Sequence, residues 1–458
     1  MPSVFDSISQ LGPAGLVVEA LVATASAIGL LLAFILLRRA IRSRYFRRLN
    51  RRTLEVRHNW EKIIGGVILP DTWFNDRLTR NIVECMLLDR LEVASAEEIE
   101  PLHQCLRFSG LLDARIHEAR LWRGWRRRQA LLSLGRMRVP EGISALAEAL
   151  DDPSEEIRVA GIRGLGRVEL PKAAEPILEH LTQGQFNVPT SVVQSALLSC
   201  FRTQPSLMLP HVHQADDRVR PLLARVLSEV ATPGLDGDLL LLTSDPIAEV
   251  RASAARALAE AKPPFTLSAL TGLAADEEWF VRLRAVIAIG RLHEPRAIPV
   301  LLQTLGDRNR HVRLRSAAAL VGLDGHEEEV LHLAMQMGDR YALQALVSEM
   351  ERSGRIPEMV NALRNPERRP LAEAALVAAL RGGANRILVD LMLHHSDWRI
   401  RGALARLLAG TNDKALLDQL QRHQLDLATP RQQRVVRWLM GQLRSQTTVE
   451  LCREKVLA

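Results

Sequence analysis

The sequence predicts an all-α protein: an N-terminal transmembrane helix followed by an α-solenoid of roughly ten helix-pair repeats. The stretch "VRLRAVIAIGRL" at 281–292 is nearly repeated as "VRLRSAAALVGL" at 312–323, which is 31 residues later. Aromatic residues make up 4% of a chain that is 47% apolar. The core must therefore be built from Leu, Ala, Val and Ile, a composition typical of closely packed helices. An uncharged run near the N-terminus predicts the transmembrane helix.

The apolar run at 20–37, "ALVATASAIGLLLAFILL", carries no charge, and with the preceding "LVV" it is interrupted only by Glu19. About 20 residues at 1.5 Å each span a ~30 Å hydrocarbon core. We therefore expect residues 1–15 to be a short extracytoplasmic tail and 16–37 a transmembrane anchor. The alternative is a buried apolar helix of a soluble protein.

A basic segment follows the run, with eight arginines and no acid in residues 38–52. These are Arg38, Arg39, Arg42, Arg44, Arg47, Arg48, Arg51 and Arg52. A cleavable signal peptide has its positive charge before the apolar run, whereas the positive-inside rule puts these arginines in the cytoplasm. We expect an uncleaved single-pass anchor of a bacterial inner membrane, N-terminus out and the bulk of the chain cytoplasmic. Residues 38–58 would be a basic juxtamembrane helix lying against anionic lipid headgroups.

The net charge of the chain is explained by this segment. The whole chain carries +7, and the eight arginines alone carry +8, which leaves about −1 for everything else. A nucleic-acid groove needs a basic stripe, so we expect no nucleic acid on the downstream array.

The repeat has a recognisable pattern: an acid, a short gap, an apolar residue, an arginine, then small residues and leucine. Its best copies begin at residues 151, 245, 276, 307 and 397. Val250, Val281 and Val312 are spaced by 31, and less regular copies extend the array over 122–444. A period between 20 and 50 residues is typical of a solenoid.

One unit shows how each repeat is built. Pro299 suits the first turn of a helix, and Asp307 is a candidate N-cap of the second helix. In that helix Val312, Ser316, Ala319 and Leu320 form one apolar stripe. The twelve-residue stretch recurs because each second helix must present the same face to its neighbour.

The pattern D-x-x-x-x-V-R-x-x-A-x-x-A-L-G resembles HEAT repeats, of the bacterial kind grouped with phycobilin-lyase-like repeats. The resemblance covers residues 122–444. It implies a right-handed α-solenoid with a groove lined by second helices, and it implies a protein-binding scaffold.

The recurrent arginines and acids have a structural interpretation, because across a turn they can form an Arg–Asp ladder joining neighbouring units. They are Arg158, Arg251, Arg282, Arg313, Arg401, Asp152, Asp245, Asp276, Asp307 and Asp397. The additional arginines and the aromatic residues beside the turns are candidate partner contacts. These are Trp279, Phe280, Arg284, Arg315, Trp398 and Arg399. The alternative for the tryptophans is that they cap the core.

The segment 59–121 does not follow the 31-residue period. It reads as three or four helices with breaks at Gly65–Gly66, Pro70, Ala94–Ser95 and Ser109–Gly110. We interpret it as a helical cap of the array, with a separate docking module as the alternative. Residues 445–458 would be a C-terminal tail.

No nucleotide-binding, nucleophile or zinc motif is found in the sequence, so we predict no catalytic residue, no metal and no cofactor. The cysteines are expected to be reduced, buried small side chains. They are Cys85, Cys105, Cys200 and Cys452.

The resulting functional prediction is a non-enzymatic membrane-anchored scaffold or adaptor, with protein partners and no small-molecule substrate. It would act at the cytoplasmic face of the inner membrane in an envelope, secretion or polysaccharide-synthesis complex. Two alternatives follow from the resemblance: an enzyme like the bilin lyases, and a nucleic-acid-binding HEAT-like solenoid.

Overall fold

The computed structural model describes residues 13–68, 73, 75–184, 188–235, 238–410, 416, 420, 430 and 432–443. Over these residues the chain is helical and contains no strand, which confirms the all-α prediction. The chain divides into two compact units, unit 1 (1–200) and unit 2 (201–458).

The first helix, α1, runs unbroken from Pro13 to His58. Within the described part of the chain it alone is long and apolar enough to cross a membrane. Its apolar residues at 20–37 are exposed. The other end of α1 joins unit 1, where Val56 is buried and α1 packs on a later helix, Arg77–Val93.

Four helices follow α1 before the repeats begin. They are α2 (Trp60–Ile64), α3 (Arg77–Val93), α4 (Ala96–Phe108) and α5 (Leu111–Leu121). The chain breaks where the sequence predicted, and Gly66 and Gly110 adopt left-handed backbone with φ of 69° and 70°, which glycine tolerates without steric cost. Ser95 and Glu98 form a capping box at the start of α4. Pro70 lies outside the described residues.

The remainder of unit 1 is built from helix pairs packed at close range. Its helices are α6 (Gly124–Met137), α7 (Ile143–Ala147), α8 (Glu155–Val168), α9 (Glu175–Thr182) and α10 (Thr190–Phe201). A Cβ atom placed on Gly135 of α6 would lie 2.5 Å from the Cα of Gly164 in α8. One on Gly166 would lie 2.7 Å from the Cα of Ala196 in α10. Glycine therefore sets the separation of these helices.

In unit 2, the first and second helices of successive repeats alternate along the chain. They are α11 (Leu209–Gln214), α12 (Arg220–Val230), α13 (Asp238–Leu242), α14 (Ala248–Ala261), α15 (Thr266–Leu273), α16 (Trp279–Leu292), α17 (Ile298–Leu305), α18 (Arg310–Val321), α19 (Glu327–Gln336), α20 (Arg340–Arg352), α21 (Arg355–Ala362), α22 (Arg369–Arg381), α23 (Asn385–His394), α24 (Trp398–Ala409) and α25 (432–443). The second helices α12, α14, α16, α18 and α20 pack on one another in that order, as the repeat predicts.

The apolar stripe of the second helix forms the core of each helix-pair repeat. Val312 and Leu320 of α18 are fully buried, and Pro299 lies in the first turn of α17. Ser316 is also buried. Its hydroxyl hydrogen-bonds the carbonyl of Val312 at 3.0 Å and the hydroxyl of Thr304 in α17 at 2.7 Å. The stripe thus joins the two helices of a pair while satisfying its one polar member.

Candidate protein-binding surfaces

The predicted Arg–Asp ladder is confirmed at the centre of unit 2. In α16, the Nη1 of Arg282 donates to the carbonyl of Asp276 in its own turn, at 2.8 Å. Its Nε and Nη2 reach the carboxylate of Asp307 in the next turn, at 2.6 and 3.0 Å. Arg251 makes the same two bonds to Asp276, at 2.7 and 2.9 Å. Each guanidinium therefore joins two consecutive repeats through a bidentate pair of hydrogen bonds.

The ladder extends with variations to other second helices. Arg220 lies 3.5 Å from Asp245, and in unit 1 Arg127 pairs with Asp152. Arg158 and Arg401 donate to the carbonyls of their own turns.

One detail of the predicted capping is wrong. Asn309, and not Asp307, is the N-cap of α18, because its side chain accepts the N–H of His311. Asp307 accepts the N–H of Asn309 at 2.7 Å. The aspartate thus stands two residues before the cap, where both of its oxygens accept from the arginine and one of them also accepts from Asn309.

Two of the ladder aspartates, Asp276 and Asp307, are held ionised. Burial acts to raise the pKa of Asp307, but the hydrogen bonds from Arg282 and from the N–H of Asn309 lower the pKa overall. The pKa of Asp276 is lowered in the same way by Arg251 and the N–H of Glu278. Hydrogen bonds to the charged form thus outweigh burial.

The structure brings two of the predicted aromatic residues, Trp279 and Phe280, together. Trp279 begins α16 and is 43% exposed, while Phe280 beside it is half-buried. Their ring centroids lie 6.2 Å apart in an edge-to-face arrangement. The ring of Trp279 is also 6.2 Å from that of His311, near the start of α18. Trp279 therefore lies across the starts of two neighbouring second helices.

The two predicted arginines of this region, Arg284 and Arg315, are exposed at equivalent positions of α16 and α18. No hydrogen bond or ion pair engages either side chain within the described residues. We call Trp279, Arg284 and Arg315 the central surface of unit 2.

Trp398 and Arg399 lie elsewhere, at the start of α24. Trp398 is 70% exposed, and the guanidinium of Arg399 lies 5.7 Å from its ring centroid. Trp398 lines a cleft of about 1030 Å³ together with Trp438 of α25. The sequence analysis did not identify Trp438. Trp438 lies beyond the best copies of the repeat, so the repeat pattern gave no signal for it.

A cleft of unit 1 was also missed. Trp122, Trp125 and Arg126 line a space of about 580 Å³, and Trp125 is 71% exposed. The guanidinium of Arg126 lies 5.7 Å from the ring centroid of Trp122. The stretch "WRGWRRR" at 122–128, with two tryptophans and four arginines, is the signal that could have found it.

Cys85 lies at the same cleft and corrects an expectation. Cys105 and Cys200 are buried as predicted, but Cys85 is exposed, and Cys452 lies outside the described residues. Cys85 faces the cleft from α3, and its thiol donates to Asp89 at 3.7 Å. Partial burial and the charge of Asp89 raise its pKa, which keeps the thiol protonated and weakly nucleophilic.

Helix pairs stacked through their second helices and bonded from turn to turn define the α-solenoid class. The family model described as HEAT repeats matches residues 121–197, 235–322 and 273–381. The protein is therefore a HEAT-repeat α-solenoid. This fold commonly mediates protein–protein interaction.

Comparison with other proteins adds structural neighbours of low identity. No curated protein matches the sequence. An engineered protein is similar at 17% identity, covering 80% of this chain and 95% of its own, with a TM-score of 0.29. YibA of Escherichia coli is similar at 18% identity, covering 57% and 96%, with a TM-score of 0.31. Kap95, solved as the Kap95:Nup1 complex, is similar at 12% identity, covering 85% and 60%, with a TM-score of 0.36.

Proposed function

We propose that this protein is a membrane-anchored, non-enzymatic scaffold that binds a partner protein through the central surface of unit 2. The observation that carries the proposal is the exposure of Trp279, Arg284 and Arg315 on two neighbouring second helices. Trp and Arg are the residues most enriched among interface hot spots. Unpaired guanidinium groups favour a partner with acidic side chains.

The anchoring part of the proposal is supported by α1. Its apolar residues are exposed, and eight arginines follow them on one side only. By the positive-inside rule, the chain after residue 37 lies in the cytoplasm. A bacterial envelope, secretion or polysaccharide-synthesis complex at the inner membrane is the setting we propose for the partner.

Arg48 and Arg52 are oriented partly towards unit 1, since both approach Asp76 at 3.8 and 3.9 Å. The other six arginines of 38–52 form no ion pair within the described residues. We propose that these six contact anionic headgroups.

The test is affinity purification of the full chain in mild detergent, with partners identified by mass spectrometry. The double variant Arg284→Glu/Arg315→Glu should keep its helix content, because exposed substitutions usually change stability by less than ~0.5 kcal/mol. It should lose the partner that the unaltered chain captures. The matched control, Arg296→Glu/Arg386→Glu, changes two arginines that are exposed near or on first helices and should retain it.

Two results would contradict the proposal. A folded double variant that still captures the partner would place the binding site elsewhere. A double variant that unfolds would show that Arg284 and Arg315 are structural.

A further inference from the structure

The Arg–Asp pairs that join the second helices of unit 2 stop at Arg313 in α18. In α16 and α18 the ladder aspartate stands two residues before the N-cap: Asp276 before Glu278, and Asp307 before Asn309. The N-cap of α20 is Asp339, and the residue two before it is Met337. Asp339 itself accepts the N–H groups of residues 341 and 342 in its own helix.

Arg313 is consequently left without its carboxylate. Its Nη1 donates to the carbonyls of Asp307 and Arg308, at 2.8 and 3.1 Å. These bonds match those of Arg282, so the guanidinium is already held in the ladder position. No acceptor engages Nε or Nη2 within the described residues. The guanidinium carbon lies 5.8 Å from the ring centroid of Tyr341.

Arg313 lines a cavity of about 330 Å³. Arg310, Leu314, Tyr341 and Gln344 also line this cavity, and no carboxylate does. Arg310 is exposed and adds a second positive charge. Leu314 and Tyr341 are 38% and 68% exposed, so they offer apolar contact beside the charges. We call this space the Arg313 cavity.

We propose that a glutamate or aspartate side chain of a partner protein occupies the Arg313 cavity and accepts both free N–H groups of Arg313. The partner protein would thus supply the carboxylate that the turn before α20 lacks. Arg282 and Arg251 show the geometry that the complex would adopt, with a planar carboxylate gripped at 2.6–3.0 Å. The apolar wall suits the stem of an amino-acid side chain better than a free inorganic anion. The inference rests on the proposed function in taking the partner to be a protein.

The test uses the full chain in detergent and two short peptides, identical except for one glutamate or glutamine, each next to a benzoylphenylalanine. After irradiation, cross-linked positions are found by mass spectrometry, which separates the cavity from the arginines of 38–52. The glutamate peptide should label residues 310–348 at least tenfold more than its glutamine twin. Equal labelling by the two peptides would overturn the proposal.

Two variants address Arg313 itself. Arg313→Gln removes the fork, and Met337→Asp supplies a carboxylate at the ladder position while leaving the bonds of Arg313 to its turn intact. Each should lower glutamate-dependent labelling at least tenfold, with helix content checked by circular dichroism. The control Met337→Asn should keep labelling within about twofold. Labelling that persists in either test variant would overturn the proposal.

Two further outcomes separate the alternatives. Inorganic phosphate that displaces the glutamate peptide better than acetate would assign the cavity to phosphate and contradict the proposal. If labelling behaves as expected but Arg284→Glu/Arg315→Glu retains its partner, only the central surface is wrong. If that double variant loses its partner while the two peptides label equally, only the Arg313 cavity is wrong.

Discussion

At the centre of the ladder, one arginine performs two structural tasks with separate donors. Arg282 holds its own turn with one terminal nitrogen and the next unit with the other two nitrogens. Lysine has no planar fork and could not do both. Hydrogen bonds to charged groups contribute about 1.5–3 kcal/mol each where they are shielded, and the side chain of Asp307 is only 8% exposed.

The first residue-level prediction concerns Asp307→Asn. At pH 7 the substitution should lower the free energy of unfolding by about 1–3 kcal/mol, because the charged acceptor of Arg282 is lost. The pKa of Asp307 is lowered in the folded state, so its contribution is complete above the unfolded-state pKa of about 3.9. It disappears as the pH falls through the lower folded-state pKa.

Urea unfolding followed by circular dichroism between pH 7 and pH 3 measures this difference. Asp217→Asn is the control, because Asp217 is 78% exposed in its pair with Arg220 and should change stability by less than ~1 kcal/mol. A difference between the unaltered chain and Asp307→Asn that is absent at pH 7, or that grows in acid, would show that the ladder does not stabilise the fold.

At the scale of the element, the second helices of unit 1 approach closely because glycine leaves room at their contacts. Gly135 faces Gly164, and Gly166 faces Ala196. In an isolated helix, alanine is favoured over glycine by about 1 kcal/mol. The close approach reverses this preference, since a methyl group would meet backbone that cannot move away.

Two glycine-to-alanine substitutions should therefore have opposite effects. Gly135→Ala should destabilise the protein by about 1–3 kcal/mol through overpacking. Gly402→Ala, where nothing lies within 4 Å of the new Cβ, should stabilise it by up to about 1 kcal/mol. Thermal unfolding of the two variants measures both signs, and a stabilising Gly135→Ala would contradict the close packing of α6 and α8.

At the scale of the whole molecule, the charge asymmetry is the dominant feature. The chain is +7 because of a segment that follows α1's apolar half directly. Outside residues 38–52 the charges of the chain sum to about −1, so we predict that the solenoid binds no nucleic acid. Because the arginines of 38–52 lie on only one side of the apolar run, they predict the orientation of the anchor in the membrane.

Reporter fusions test the proposed topology. A fluorescent protein fused after Ala458 should fluoresce, and alkaline phosphatase fused at the same place should be inactive, because the latter requires the oxidising periplasm. Fusions before Met1 should give the opposite pair of results and serve as the control. Active phosphatase after Ala458 would reverse the orientation that we propose.

The parts of the fold that repeat were predictable, and the parts that occur once were not. Val281 and Val312 share a spacing because they share an environment, so their burial and the Arg282–Asp307 bond follow from the pattern. The exposed thiol of Cys85 depends on a cleft formed by helices remote in sequence. Met337 stands where a ladder aspartate was expected, and the sequence analysis missed this because a constant 31-residue period assumes turns of equal length. The turn before α20 is one residue shorter than the turn before α18.

The unbroken course of α1 has a mechanical consequence. If α1 spans a bilayer as we propose, the helices that follow α1 turn with it, because a continuous helix turns by about 100° and rises about 1.5 Å per residue. One alanine inserted near Ser43 would rotate these helices by more than a quarter turn about the axis of α1 and raise them by only about 1.5 Å. Seven inserted residues would restore their orientation to within about 20° and raise them by roughly 10 Å. If the partner is itself embedded in the membrane, its engagement should oscillate with the number of residues inserted.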